Sequence, residues 1–333
     1  MTDLIAEMAD RLFAAHSGNT GLWAAVEEAG LPFALLAEEA GGFGFAPAEA
    51  LGIIRIAAGH AAAAPVAETV LANHVLGAAG LDPAEGAAVV ATEVLPAEDG
   101  RLCGTLRRLP WARDAGTVVA LTAEGRMLRL TAGWSIRSGS NLAGEPRDDL
   151  TFDLPLDGLT TAESPFAADT LLAMSAALRA IAIAGAAEAA LALTVGYVND
   201  RVQFGRPIGK QQAIQQNLAV MAGQTAAARA AADMVSEAFP LALSAPELFR
   251  LKAGAAKLRA GEAAGVCAAI AHQAHGAIGI TREYRLHPLT RRLWSWRDEF
   301  GSEAFWAERI GAAVFARGDG GLWPWLTRTG EAA

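Results

Sequence analysis

The sequence predicts a mainly helical protein with a small β domain in its middle. Three observations along the 333 residues support this fold class. Helical apolar spacing comes first, short β-rich runs with turn signals follow, and long apolar helical stretches then continue toward the end. We therefore expect a helical N-terminal domain at 1–86, a shortened middle β domain at 87–165 and a helical bundle at 166–333.

The N-terminal domain is rich in Ala and Leu, and Leu4, Met8 and Leu12 recur at helical spacing. The glycine-rich segment 41–44 breaks this pattern, which indicates a loop. A further helix is expected over 47–61, because proline suits the first position of a helix.

The middle domain is indicated by β-rich runs that turn signals such as Asp99-Gly100 separate. Such short, regularly spaced runs are typical of a small all-β unit. The runs are 89–90, 101–107, 117–121, 127–131 and 150–156.

The last part predicts helices over 168–200, 210–237 and 246–274, with a final helix starting near Gly301. The stretch 171–198 is apolar enough to suggest a membrane span. Arg179 and Glu188 interrupt it, however, and no uncharged run of about 18 residues remains. We therefore expect a buried helix and no membrane partner.

Composition excludes several classes of function. Apolar residues make up 53% of the chain, the net charge is −9, and no Lys/Arg block is present, so a nucleic-acid partner is not expected. Cys103 and Cys267 lie far apart, which indicates neither a metal site nor a disulfide framework and fits a reducing cytoplasm. The N-terminus shows no export signal.

The segment 201–214, RVQFGRPIGKQQAI, lies between two predicted long helices. Its Arg201 has a planar donor fork suited to a pyrophosphate, Phe204 offers a flat face for an aromatic ring, and Gln212 suits a ribose or adenine edge. The alternative is a C-terminal arginine that interacts with the helix dipole, beside a core phenylalanine.

A second glycine-containing segment, 273–279, ends the third long helix. Gly276 and Gly279 would let the backbone approach a ligand closely, or they would simply terminate the helix. His272, His275 and His287 nearby match no usual metal spacing, so we expect structural or surface roles for them and no metal.

These segments together resemble the acyl-CoA dehydrogenase family. Segment 201–214 resembles its Arg-x-x-Phe-Gly signature, 30–44 its N-terminal domain, and 273–292 its C-terminal glycine turn. The resemblance covers nearly the whole chain and implies a helical domain, a middle β-barrel-like domain and a helical bundle. It also implies FAD as cofactor and α,β-desaturation of an acyl-CoA thioester. The FAD contacts it implies are Arg201, Phe204, Gln212, Gln273, Gly276 and Ser302.

The family reaction requires a carboxylate base, and its position is where this chain departs from the family. Ungapped counting places Phe300 at the base position, followed by Gly301-Ser302 in place of Gly-Thr. A shift of one residue would place Glu299 there instead, and we favour Phe300. Some family members place their base on the long helix that precedes the Arg-x-x-Phe-Gly signature. In this chain that position falls at Ser175 and Ala176, and neither of these is a base.

The middle domain also departs, because the family's Gly-Ser-Asp loop is missing after Thr92-Glu93. Trp111 is expected either to stack near a flavin or to pack in the core. These losses resemble the short subunits of heterotetrameric acyl-CoA dehydrogenases, in which one subunit carries the base. Three hypotheses follow: a base-less subunit with a catalytic partner, a self-sufficient homo-oligomeric dehydrogenase using Glu299, and a non-enzymatic helical scaffold without flavin.

Overall fold

The structure is a computed structural model that describes residues 2–16 and 21–316. Its N-terminal part is helical, and proline at the first position of the third helix agrees with the sequence pattern. The helices are α1 (Thr2–Ala15), α2 (Leu22–Glu28), α3 (Pro47–Gly59) and α4 (Val66–Ala78).

The middle part forms two four-stranded sheets. One has the order β1-β4-β5-β8 and the other β2-β3-β7-β6. Only the β1–β4 pair is parallel within these two sheets of the described chain. The strands are β1 (Ala88–Leu95), β2 (Ala97–Glu98), β3 (Arg101–Pro110), β4 (Thr117–Thr122), β5 (Arg126–Leu130), β6 (Trp134–Arg137), β7 (Arg147–Pro155) and β8 (Thr160–Glu163).

The first sheet is buried on both faces, which explains its continuous apolar runs. Val118 and Ala120 of β4 face the core between the two sheets. Val119 and Leu121 alternate with them and face the helices. The β domain is therefore packed against the helical domains through this sheet.

The last part is a helical bundle in which α5 is central, packing against α3, α6, α8 and α9. Small residues allow close approach: a Cβ at Gly185 would lie 2.0 Å from the carbonyl oxygen of Arg55 on α3. The elements are α5 (Ala168–Asp200), β9 (Val202–Gln203), β10 (Arg206–Pro207), α6 (Gln212–Glu237), α7 (Leu241–Ser244), α8 (Pro246–His275), α9 (Leu286–Asp298) and α10 (Glu303–Ala316).

Two helical stretches, Ala168–Asp200 and Pro246–Ile280, are long and apolar enough to cross a bilayer by length and composition alone. The most apolar stretch of the first is 56% buried inside the fold. Helices buried in the core of a large protein share this apolar character, so length and composition are weak evidence for a membrane span here.

The predicted fold class is confirmed, with the β domain between two helical parts. The predicted domain boundaries stay a prediction, although α4 ends at Ala78 and β1 begins at Ala88. No separate sequence signal indicated α2, α4, α7, α9, β2, β6, β8, β9 or β10. The helix expected near Gly301 begins at Glu303.

Candidate functional site

The turn between α9 and α10 carries Glu299, Phe300 and Gly301. Phe300 and Gly301 both have positive φ, at 55° and 97°, a conformation that costs energy for a bulky residue. The indole N–H of Trp306 donates to the carbonyl oxygen of Phe300 at 3.0 Å. This backbone directs the neighbouring side chains of Glu299 and Phe300 to different surroundings.

Glu299 is bound by two guanidinium groups. Arg147 donates from Nε and Nη2 to the two carboxylate oxygens at 2.8 and 2.9 Å. Arg179 donates from Nε to Oε2 at 2.7 Å, and Asn141 adds a hydrogen bond to Oε1 at 3.0 Å. Both oxygens of Glu299 are therefore held in charge-assisted hydrogen bonds.

These contacts extend into a buried ion network that joins the three parts of the fold. Arg179 also pairs with Glu68 of α4 at 2.6 Å, and Glu145 pairs with Arg147 and Arg292 at 3.1 and 3.0 Å. The side chains are between 2 and 11% exposed. The network contains the charged side chains of Glu68, Glu145, Arg147, Arg179, Arg292 and Glu299.

The network contains three arginines and three glutamates, and ion pairing shifts the pKa of Glu145 and of Arg179. Burial opposes the charge of Glu145, but Arg292, Arg147 and Arg179 together keep its pKa below the usual range. Burial likewise opposes the charge of Arg179, and its acidic partners nevertheless raise its pKa. Glu145 and Arg179 are therefore both charged at neutral pH.

A small cavity lies where the family resemblance places the catalytic base. Phe300 and Ser175 line it together, so both base positions found by counting converge here. Arg179 also lines the cavity, and its guanidinium carbon lies 5.4 Å from the centre of the Phe300 ring. The cavity volume is about 20 Å³, room for roughly one water molecule.

A larger cleft of about 370 Å³ lies between the β domain and α9, and Glu299 and Phe300 both line it. Its lining includes Thr92 of β1, where the family has its flavin loop, and Trp294 of α9. Arg107 and Arg108 make part of the wall cationic. The cleft is large enough to hold a planar aromatic ring system. Its lining carries three arginines against two acids, Asp298 and Glu299, and this positive balance favours an anionic ligand.

The signature segment forms a hairpin at one end of the bundle. Strands β9 and β10 pair with Gln203 opposite Arg206, leaving Phe204 and Gly205 as a two-residue turn. Both turn residues have positive φ, as a type I′ turn requires. The Phe204 ring is 93% exposed, so the expectation of a core phenylalanine is wrong for this residue.

The glycine turn lies at the same end of the bundle. His275 at the end of α8 stacks on Tyr197 near the end of α5, with ring centroids 4.4 Å apart. Gln273 and Gly276 are exposed there. Gly276 ends α8 at φ 62° and ψ −141°, a conformation open almost only to glycine, so its role as a helix terminator is real.

Arg201, Phe204, Gln212, Gln273 and Gly276 are therefore brought to one end of the bundle. Arg201 and Gln212 are exposed, and within the described residues no hydrogen bond or ion pair occupies the guanidinium of Arg201. An exposed aromatic ring and an unpaired arginine on one hairpin suit an external ligand that has both a flat ring and a phosphate. These residues fit the adenosine diphosphate half of FAD.

Ser302 lies elsewhere. Its hydroxyl accepts a hydrogen bond from the backbone N–H of Phe305 at 3.4 Å, at the start of α10. The turn before α10 contacts Lys257 of α8. Lys257 precedes Gln273 by 16 residues, which corresponds to roughly 24 Å along the helix. Ser302 therefore does not share the surroundings of the hairpin residues, and its contact with a cofactor stays a prediction.

Trp111, the remaining aromatic candidate, lies in a packed position. Trp111 packs against the β core and borders a cavity of about 30 Å³ beside Glu145. It does not line the larger cleft. This favours the packing role over stacking on a flavin.

The three histidines sit in structural surroundings. His272 stacks on Trp294 and hydrogen-bonds Thr290 at 2.9 Å. Burial lowers the pKa of His275, and it likewise lowers the pKa of His287. Among residues 2–16 and 21–316, no group of three or more His, Cys, Asp or Glu side chains could hold a metal ion.

Comparison with known proteins adds to this geometry. Residues 166–315 match the family model described as the acyl-CoA dehydrogenase C-terminal domain. Acyl-CoA dehydrogenase IpdE2 of Mycobacterium tuberculosis is 42% identical over 109 residues, which are 32% of this chain and 31% of that protein. Acyl-CoA dehydrogenase FadE34 of the same organism is 26% identical over 93% of this chain and 45% of that protein.

The chain spans only 26 to 39% of the length of the first three curated relatives that it matches. The fold similarity is broader than the sequence similarity. The crystal structure of the ChsE4–ChsE5 complex from Mycobacterium tuberculosis superposes with a TM-score of 0.84 at 20% identity, over 94% of this chain and 97% of that chain. At that identity the likeness concerns the fold.

Proposed function

Because the chain belongs to the acyl-CoA dehydrogenase family, we propose that it is an FAD-dependent dehydrogenase subunit that lacks its own base. A partner subunit of the same family then supplies the carboxylate. The observation that carries this proposal is the cavity of about 20 Å³ at the base position, which Phe300 and Ser175 line. Phe300 has no group that accepts a proton, and the carboxylate of Glu68, which also lines this cavity, is paired with Arg179 at 2.6 Å. A volume of about 20 Å³ has no room for a thioester.

Glu299 is a poor substitute for the base. Its oxygens accept hydrogen bonds from Arg147 and Arg179, and protonation of a carboxylate so bound would break favourable ion pairs. Acting as the base would require Glu299 to leave both arginines and reach a substrate. The self-sufficient alternative therefore needs a rearrangement of the whole ion network.

The cofactor of this proposal is FAD, which accepts the hydride from the β-carbon of the thioester when it is bound. Arg201 would pair with its pyrophosphate, and Phe204 and Gln212 would contact the ring and ribose of the adenosine half. Gln273 and Gly276 would flank the same half from the end of α8. The presence of Arg201, Phe204, Gln212 and Gln273 together argues against the non-enzymatic scaffold, because a scaffold has no evident need for all four.

The substrate class is an acyl-CoA thioester, and the resemblance to short subunits favours a bulky acyl group bound mainly by the partner. A complex of two chains is one of the structural neighbours, which supports a heterotetramer over a homo-oligomer. We retain a cytoplasmic location as part of this proposal. Co-purification from the native host tests it: a yellow complex with a second acyl-CoA dehydrogenase chain supports it, and a colourless chain that purifies alone contradicts it.

Substituting Arg201 with alanine should weaken FAD binding by the assembled complex about 30-fold, because losing one partner of a charge-assisted contact costs on the order of 2 kcal/mol. Flavin content after dialysis, read by absorbance, measures the effect. Arg206→Ala, which removes the same charge from the same hairpin, serves as the control and should retain flavin. Unchanged flavin content in Arg201→Ala would defeat the assignment.

The chain should also associate, because apolar side chains are exposed at the hairpin end of the bundle. Val195, Val202 and Val220 are between 40 and 58% exposed there, beside Phe204, and covering such a patch stabilises an assembly. Sedimentation at micromolar concentration should show a dimer or larger species. A stable monomer under those conditions would speak against the assembly.

A further inference from the structure

Helix α8 presents two glycines and one lysine to the α9–α10 turn. A Cβ at Gly254 would lie 2.5 Å from the Trp306 ring, and one at Gly261 would lie 2.4 Å from the Glu303 carboxylate. Lys257 is located between them on the same helical face, at i+3 from Gly254. The glycines let α10 approach α8 closely, and the lysine side chain lies buried at this contact.

Lys257 is 1% exposed, and the two hydrogen bonds that its ammonium group makes here both go to backbone carbonyls. Nζ donates to the carbonyl oxygen of Arg297 at 2.6 Å and to that of Gly301 at 2.9 Å. These carbonyls flank Glu299 and Phe300 on both sides. With the Trp306 bond to the carbonyl of Phe300, three carbonyl oxygens of the turn are fixed by side chains from α8 and α10.

We propose that Lys257 is the positioning residue of this turn, and that its ammonium group holds Glu299 toward the arginines and Phe300 toward the small cavity. The strained backbone of Phe300 needs such support, because left-handed conformations of bulky residues persist only where surrounding contacts hold them. This inference rests on the proposed function in one respect only, namely that the turn holds the family's base position. Its test needs neither flavin nor substrate.

The charges around Lys257 make the contact sensitive to pH. Burial is the main cause that lowers its pKa, to about 8; Glu303, Glu299 and Asp298 oppose the shift, and Arg179 adds to it. Above this pH the neutral amine makes weaker hydrogen bonds to the two carbonyls, because charge-assisted bonds are the stronger kind. The hold on the turn therefore loosens as pH rises through about 8.

The free energy of unfolding should increase over the same pH range in which the hold on the turn loosens. The unfolded chain keeps its lysine charged up to the ordinary pKa of 10.5, while the folded chain releases the proton near 8. Between these values the unfolded state binds more protons, so stability rises with pH. Relative to Lys257→Met, the wild-type folding equilibrium should improve by on the order of 10²-fold across this window.

The test uses ¹⁹F NMR of the full chain with 5-fluorotryptophan. The Trp306 signal, assigned by its loss in Trp306→Phe, should titrate with a midpoint near 8 in the wild type. It should not titrate in Lys257→Met or in Lys257→Arg, whose cation stays charged. Trp134, in the β domain, serves as the internal control and should not titrate in this range.

A Trp306 signal that stays constant between about pH 6.5 and 10 in the wild type would overturn the proposal, since the neutral amine makes the weaker bonds. So would an unchanged titration in Lys257→Met. The wild-type titration requires no variant, so the proposal remains testable if Lys257→Met fails to fold. Both results are independent of whether the chain binds flavin or a partner.

Discussion

Replacing Arg179 with methionine should lower the free energy of unfolding by about 3–5 kcal/mol, because it leaves the buried Glu68 without its cation and Glu299 with only one of its two guanidinium partners. Glu68 and Glu299 both pair with this guanidinium, at 2.6 and 2.7 Å. Methionine has a similar reach but no charge, so the loss reports the ion pairing more than the packing. Urea unfolding followed by circular dichroism measures it.

The matched control is Arg309→Met. Arg309 pairs with Asp169 at 3.5 Å, and both side chains are about half exposed. Exposed pairs contribute roughly 0–1 kcal/mol, so this variant should remain close to the wild type. If Arg179→Met were no more destabilised than Arg309→Met, the network would not hold the three parts of the fold together.

Dehydrogenase activity should depend on the partner. A positioned general base contributes roughly 10²–10⁴-fold, so the purified chain with added FAD should turn over an acyl-CoA more slowly than the native complex by at least that range. Steady-state assays with an artificial electron acceptor that reoxidises the reduced flavin measure the ratio. Phe300→Glu should restore only part of the activity, because the new carboxylate would lie within reach of Arg179, which lines the same small cavity and would pair with it.

Equal turnover by the chain alone and by the complex would contradict this dependence. The choice of acyl group does not affect the comparison as long as both samples receive the same thioester. A series from short to bulky acyl chains covers the proposed substrate class.

The fold could be predicted largely from periodicity, because helix and strand spacing differ clearly along this chain. The long helix α5 was evident from its length and apolar character. Helix α4 was less evident, since its residues are buried nearly all round and show no polar face. Strands β6 and β8 contain only four residues each, and such short strands carry little pattern of their own.

The site was only partly predictable. The hairpin residues could be found because they form a contiguous segment with a family resemblance. The ion network could not, because Glu299 pairs with Arg147, which lies 152 residues away. Arg179 was the one visible signal: a lone cation in an apolar helix requires a buried partner, yet the sequence does not say which carboxylate supplies it.

The most direct test of the base-less account is flavin bleaching by the single chain. The purified chain, loaded with FAD and mixed anaerobically with an acyl-CoA series, should keep its flavin absorbance, and Glu299→Gln should behave the same while unfolding more easily. The stability loss follows from removing a carboxylate that Arg147 and Arg179 share. Substrate-dependent bleaching by the wild-type chain, abolished in Glu299→Gln, would contradict the account and identify Glu299 as the base.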